Sequence, residues 1–253
     1  MDNATPPAIT KPAGQSQPQS ASPSPSVLAL IPGYQEEARI GAVVSQAAAH
    51  LPVLVVDDGS RDATAAQAEV AGAQVLRQSP NQGKGAALRA GFRWALERDF
   101  AAVITLDADG QHDPAEIPHF LAAFHAGNRV IDSTEPGPID LVIGARDFRQ
   151  MPLVRRVSNT VGEWLFSWAL GQPSQDNQSG YRLISRRLMA VLLESDEQGF
   201  EFEVEMIVTC VRRGFGLAWV PIRTIYGDEE SHIRPVAHVV NFSRVIWRTR
   251  RTR

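Results

Sequence analysis

An α/β fold, a mostly parallel sheet with helices on both faces, is predicted by three observations on this 253-residue chain. Short apolar runs alternate with longer helix-compatible stretches, and strand, helix, strand, helix is the order of a parallel sheet. Each run is apolar at successive positions rather than at every second one, as in strands covered on both faces. Polar, carboxylate-rich clusters follow the first, second and fourth runs. Sheets of this kind bind ligands at the carboxyl ends of their strands, so one pattern predicts both the fold and the place of the site.

Taken in order, residues 1–26 are rich in Pro, Ser and Gln and poor in large apolar side chains, which predicts a disordered tail. Residues 27–31 form the first apolar run, closed by Pro32 and Gly33, and a helix fits 37–50. Residues 53–56 read as a second strand running into Asp57-Asp58-Gly59-Ser60, and Asp62 suits the cap of an Ala-rich helix towards Ala71. A third strand is expected at 74–76, then a loop at 81–85, a helix at 86–98 and a fourth strand at 102–106. The second half is less regular. It predicts a loop at 132–138, a strand at 140–144, helices at 157–170, 186–194 and 202–213, and a strand near 217–220. One domain over 27–235 is expected, followed by an amphipathic basic helix at 236–253.

Hydrophobic residues at 43% and charged residues at 21% allow one sizeable core. A net charge of -3 and a pI near 6.1 argue against general nucleic-acid binding. The single cysteine, Cys210, sits among Val208, Thr209 and Val211, so it is expected to be a buried thiol in a reducing compartment. No signal-like apolar segment or run of about 18 apolar residues is present, which predicts a cytoplasmic location with any membrane contact peripheral, on the inner face.

Asp107-Ala108-Asp109 places two carboxylates at a strand end, with Gln111, His112 and Asp113 close behind. Carboxylate and amide oxygens suit hard ions such as Mg2+ or Mn2+, and such an ion neutralises the charge that develops on a departing diphosphate. A solvated turn that caps the next helix uses the same residues. Asp57 and Asp58 have the same two readings: a helix cap, or acceptors for a nucleobase or ribose. Gly83-Lys84-Gly85 lets backbone approach a phosphate with a lysine alongside, and a glycine turn with an exposed lysine fits equally well.

Together, Pro32-Gly33-Tyr34-Gln35-Glu36-Glu37, residues 55–64, Asn81-Gln82-Gly83-Lys84-Gly85 and Leu106-Asp107-Ala108-Asp109-Gly110-Gln111-His112 resemble the successive donor-site motifs of family 2 glycosyltransferases. The resemblance implies the GT-A fold, a Rossmann-like sheet. Gly144-Ala145-Arg146, residues 151–159, Asp176-Asn177-Gln178-Ser179-Gly180-Tyr181-Arg182 and Gly199-Phe200-Glu201-Phe202-Glu203 are similar to the acceptor-half motifs of polyprenyl-phosphate (dolichyl-phosphate) mannose and glucose synthases. The resemblance implies a metal held by Asp107, Asp109 and Gln111, and a nucleoside clasped by Pro32, Tyr34, Glu36, Asp57 and Asp58. It also implies a lipid phosphate bound by Arg146, by Arg155 or Arg156 and by Ser158, with Asp176 close to the reacting centre. The implied activity is metal-dependent inverting transfer of a hexose from a nucleotide sugar, GDP-mannose or UDP-glucose, to polyprenyl phosphate.

The sequence departs from the family at Asn177, where Thr is common, and at 227–234, where a loop that is often basic is half acidic. The second departure weakens Ser231, His232 and Arg234 as phosphate ligands.

A phosphate monoester is anionic near neutral pH and needs positioning more than deprotonation, a task suited to arginine forks, although each of these arginines also fits a solvated surface charge. A sugar or small-molecule hydroxyl as acceptor would instead need a base, and Asp176 is the candidate. A catalytically silent nucleotide-sugar binding protein is the remaining alternative, and the clustered Asp107, Asp109, Gln111 and Arg146 argue against it. The apolar spacing at 239–248, running into Arg250, Arg251 and Arg253, suits a helix lying on an anionic membrane or one packed on the domain. Trp164, Phe166 and Trp168 offer a second membrane contact or, more simply, core.

Overall fold

The computed structural model describes residues 26–127, 137–147, 153–171, 173–195 and 201–223, with backbone alone at 153–159, 161 and 201. The expectations for the tail through residue 25, most of the 132–138 loop, the acidic 227–234 loop and the C-terminal helix lie outside the described residues.

Seven strands are described: β1 (Val27–Gly33), β2 (Val53–Asp57), β3 (Gln74–Arg77), β4 (Ala102–Thr105), β5 (Ile139–Arg146), β6 (Arg182–Ser185) and β7 (Gly216–Ile222). The helices are α1 (Ile40–Ala48), α2 (Thr64–Val70), α3 (Lys84–Glu97), α4 (Ile117–His125), α5 (Leu153–Leu170), α6 (Arg186–Leu192) and α7 (Glu201–Arg212). One sheet runs in the order β3-β2-β1-β4-β6-β5-β7, parallel except for β6, which is antiparallel to both β4 and β5.

Both faces of the sheet are covered, which is why its strands read as unbroken apolar runs. Leu28 and Leu30 of β1 point into a core with Phe92 of α3, Leu188 of α6 and Ile207 of α7. Ala29 and Ile31 point the other way, among Ile40 and Val44 of α1, Ala68 of α2 and Phe120 of α4. Each fully buried Leu, Ile or Phe contributes about 1.5–3 kcal/mol. α3 rests on β1 at Gly91, where an added Cβ would stand 2.4 Å from Leu30 Cδ1.

Several elements differ from the sequence-based expectation. α3 begins at Lys84, ahead of the expected 86, and α5 begins at Leu153, ahead of 157. Asp62 does serve the start of α2, its Oδ1 accepting from the Thr64 amide at 3.1 Å and the Thr64 hydroxyl at 2.5 Å. α4 and β6 had no expected counterpart. Cys210 is buried, as expected, and burial pushes its thiol well above the ordinary range.

The second half is tied together by Asp140 at the start of β5, buried and bonded to Ser185 Oγ at 2.7 Å, the Gly216 amide at 3.0 Å and Arg187. Because β6 runs against its neighbours, it starts where they end. Thr105 of β4 pairs with Arg182 and Ile143 of β5 pairs with the same residue, so the 174–181 segment arrives beside Asp107 and Arg146.

Candidate active site

The loops after β1 and β2 are stitched to each other. The Gln35 amide donates to Ser60 Oγ at 2.9 Å, the Glu36 amide to Thr64 Oγ1 at 2.8 Å, and the Ala63 amide to Glu37 Oε2 at 2.9 Å. Gln35 takes a positive φ of 58°, which turns the chain sharply between half-exposed Tyr34 and Glu36. Pro32, Tyr34, Glu36 and Asp57 thereby share one rim of the sheet. Asp57 and Asp58 are both buried, and their oxygens go to backbone: Asp57 Oδ1 accepts from the Ser60 amide at 3.2 Å, and Asp58 accepts from the Gln82 and Gly83 amides at 2.9 and 2.7 Å. Asp58 thus shapes the loop that leads into Lys84.

Lys84 is not the exposed lysine of a glycine turn. Its side chain is 17% exposed, and its ammonium lies 2.5 Å from Asp107 Oδ1 and 2.8 Å from Glu203 Oε1. Burial alone would push Asp107 up and Lys84 down. The charges they present to each other, with Glu203 on the lysine, reverse both, holding the Asp107 carboxyl below the usual carboxylate range and Lys84 above the usual lysine range. His112, buried against Tyr181 with ring centroids 5.1 Å apart, accepts the Asp107 amide proton at Nδ1 over 3.1 Å. Burial lowers its pKa against the opposing pull of the Asp107 carboxylate, 3.8 Å from Nδ1, and a ring that accepts at Nδ1 carries a proton on Nε2 and orients the Asp107 backbone.

Gly180 closes over this group. An added Cβ there would stand 2.6 and 2.9 Å from the two Asp107 carboxylate oxygens and 3.0 Å from Lys84 Nζ. Those atoms are ends of side chains, so Gly180→Ala is expected to fold while pushing them out of place. A displacement of about 1 Å at a reacting centre costs on the order of a hundred-fold in rate. A loss of that order with an unchanged melting curve is the expected result in paired activity and thermal-unfolding measurements.

The donor set fits a hard divalent ion. Asp107 and Asp109 supply carboxylate oxygens, and Asp109 Oδ1 accepts the Gln111 amide at 2.9 Å, bending Gln111 back over the same loop. Among the described residues no cluster of three or more His, Cys, Asp or Glu forms a cage. That composition suits Mg2+ or Mn2+, which are held by one or two carboxylates with the remaining positions filled by phosphate and water.

Across the β4–β6 edge, Asp176 is 1% exposed and forms a two-pronged pair with Arg146, 2.6 Å to Nε and 2.9 Å to Nη2. The same carboxylate accepts the Arg146 and Gln178 amides, each at 3.2 Å. Arg146 is also near enough to help hold the Asp107 carboxyl down. Glu163 of α5 accepts the Asn177 amide at 3.1 Å, and burial raises its pKa. α5 carries Arg155, Arg156 and Ser158 in its first turns, their side chains outside the described residues.

Trp164 and Trp168 are 67% and 53% exposed, so they are not core; only Phe166 is. With Thr160, Glu163 and Pro173 they line an open cavity of about 600 Å³.

Four groups at the site are not assigned from the sequence: Glu163, Glu203, Gly180 and Arg182. The last three lie inside motifs visible in the sequence, which was the available signal, whereas Glu163 lies outside them, and the roles of all four depend on partners distant along the chain.

Residues 29–186 match the family model Glycosyl transferase family 2. The chain is 32% identical over 221 residues to polyprenol monophosphomannose synthase of Mycolicibacterium smegmatis, covering 81% of this chain and 79% of that one. It is 33% identical over 214 residues to undecaprenyl-phosphate mannosyltransferase of Micrococcus luteus, covering 78% and 82%. Among solved structures, glucosyl-3-phosphoglycerate synthase from Mycobacterium tuberculosis in complex with Mn2+ and UDP-glucose is similar in fold, with a TM-score of 0.65 at 21% identity over 88% of this chain and 77% of that one. With the family model spanning residues 29–186 and two relatives above 30% identity on a GT-A sheet, the chain belongs to glycosyltransferase family 2 and is a glycosyltransferase related to the polyprenyl-phosphate sugar synthases.

Proposed function

We propose that this glycosyltransferase moves a hexose, with inversion, from GDP-mannose or UDP-glucose to a polyprenyl phosphate at the inner membrane surface, using Mg2+ or Mn2+. The observation that carries this reading is the Arg146–Asp176 pair standing beside Asp107. An acceptor phosphate drawn to Arg146 reaches the diphosphate end of a donor held at Asp107.

Pro32, Tyr34, Glu36, Asp57 and Asp58 frame the nucleoside, and Lys84 faces the donor phosphates. Asp107, Asp109 and Gln111 hold the metal, which when bound neutralises charge on the departing diphosphate. Arg146, with Arg155, Arg156 and Ser158 from α5, positions the acceptor phosphate, whose oxygen is already anionic and needs no base. Asp176 fits this division of labour, because both its oxygens are engaged by Arg146 and it acts by orienting that guanidinium. A hydroxyl acceptor would require Asp176 to leave Arg146 before accepting a proton.

The names of the two bacterial relatives support a lipid-phosphate acceptor. Among the described residues no helix is long and apolar enough to cross a membrane, and the exposed Trp164 and Trp168 give a peripheral protein an apolar face for lipid.

Radiolabelled GDP-mannose and UDP-glucose, each incubated with short-chain polyprenyl phosphate and Mg2+ or Mn2+, test the proposal. Counts extractable into organic solvent and abolished by EDTA are expected from one donor. Counts confined to soluble product would overturn the lipid acceptor.

A further inference from the structure

Lys84 is an unusual residue for its position. It opens α3, a 14-residue helix whose positive end disfavours a cation. It is also largely withdrawn from water, where an ammonium is costly unless paired. What holds it there is a carboxylate on each side: Asp107 Oδ1 at 2.5 Å and Glu203 Oε1 at 2.8 Å. Glu203 is itself buried, in the first turn of α7, and its backbone is anchored by the guanidinium of Arg182 on its carbonyl. Gly180 leaves no room above the pair.

We propose that Lys84 is a tethered cation that occupies Asp107 until a diphosphate arrives to take the ammonium, and that Glu203 is the positioning residue that keeps it from committing wholly to Asp107. The inference rests on the metal role proposed for Asp107. Two cations on one partly buried carboxylate repel each other, so a divalent ion reaches Asp107 readily only when further negative charge enters the site. A nucleoside diphosphate supplies that charge, and Lys84, with three donors on a flexible stem, can turn to it while one donor stays on Glu203. Metal binding and diphosphate binding are thereby coupled through one lysine. Glu203 sets the strength of the coupling by sharing that lysine with Asp107.

The test is Mn2+ binding to the full chain, followed by electron paramagnetic resonance with and without GDP or UDP, with a thermal melt of each variant. Without nucleotide, Lys84→Met is expected to bind Mn2+ about ten-fold more tightly than the unsubstituted chain and to lose most of the gain that nucleotide brings. Glu203→Asp preserves net charge but falls short of Lys84, and is expected to weaken nucleotide-free Mn2+ binding several-fold, a change that a purely global charge effect would not produce. A folded Lys84→Met variant with unaltered Mn2+ affinity overturns the inference. Should that variant not fold, Glu203→Asp decides, and unaltered or tighter binding there overturns it. Mn2+ binding that needs nucleotide but ignores both substitutions leaves the metal role standing and removes only Lys84's part. Absence of Mn2+ binding even with GDP and UDP removes both.

Discussion

Asp109→Ala is expected to lower the turnover of sugar transfer by about a thousand-fold, the equivalent of about 4 kcal/mol, within the several kcal/mol that a metal ion contributes to charge stabilisation in the transition state. Asp109 is partly exposed in the loop that follows β4, and its Oδ1 accepts the Gln111 amide. That loop bond is worth about 1 kcal/mol, so the folded state loses little. The substitution therefore separates chemistry from stability: turnover falls steeply while the melting temperature moves by only a few degrees. Steady-state transfer assays over a range of Mg2+ and Mn2+ concentrations, alongside thermal unfolding, make the comparison. Undiminished turnover would reject Asp109 as a metal ligand.

Arg182→Met is expected to do the reverse, with its main effect on stability. Among the described residues the Arg182 side chain is the largest of those fully buried, at 1% exposure, and burial lowers its pKa by opposing its charge. The guanidinium donates to the Ser179 carbonyl at 2.7 Å, the Asn177 carbonyl at 3.0 Å and the Glu203 carbonyl. It therefore joins the segment that carries Asp176 to the helix that carries Glu203. Methionine fills similar space but leaves three carbonyls without these donors, at about 1–3 kcal/mol each. Allowing for the desolvation no longer spent on a buried charge, a net loss of about 3 kcal/mol or more follows. For a domain of this size that lowers the melting temperature by roughly 10 °C. Thermal denaturation followed by circular dichroism measures it, and a shift under about 2 °C would show that the clamp contributes little.

The donor half was legible because its signals are local. A parallel strand covered on both faces is apolar at each position, and the runs at 27–31, 53–56 and 102–106 became β1, β2 and β4 with small changes of boundary. Asp57, Asp58, Asp107 and Asp109 stand at strand ends because sheet geometry gathers those ends on one edge. The second half resisted the same reading. β6 is four residues long, opens with an arginine and has no strand-like pattern of its own; it is a strand because β4 and β5 supply hydrogen-bonding partners on both sides. The period of α4 was likewise obscured by Pro114 just ahead of it and Pro118 in its first turn.

By itself, then, the sequence determined the sheet class, the edge on which the candidate site lies and the acidic side chains gathered there. These follow from the local spacing of apolar and acidic side chains. Tertiary structure alone decided the partnerships: Asp176 with Arg146, His112 with the Asp107 amide, and Lys84 between Asp107 and Glu203. The antiparallel insertion of β6 turns the 174–181 segment back to the carboxyl edge, and α7 presents Glu203 to the start of α3. Such pairs join residues far apart along the chain, and the low-dielectric contact that defines them exists only once the two halves of the sheet have closed together.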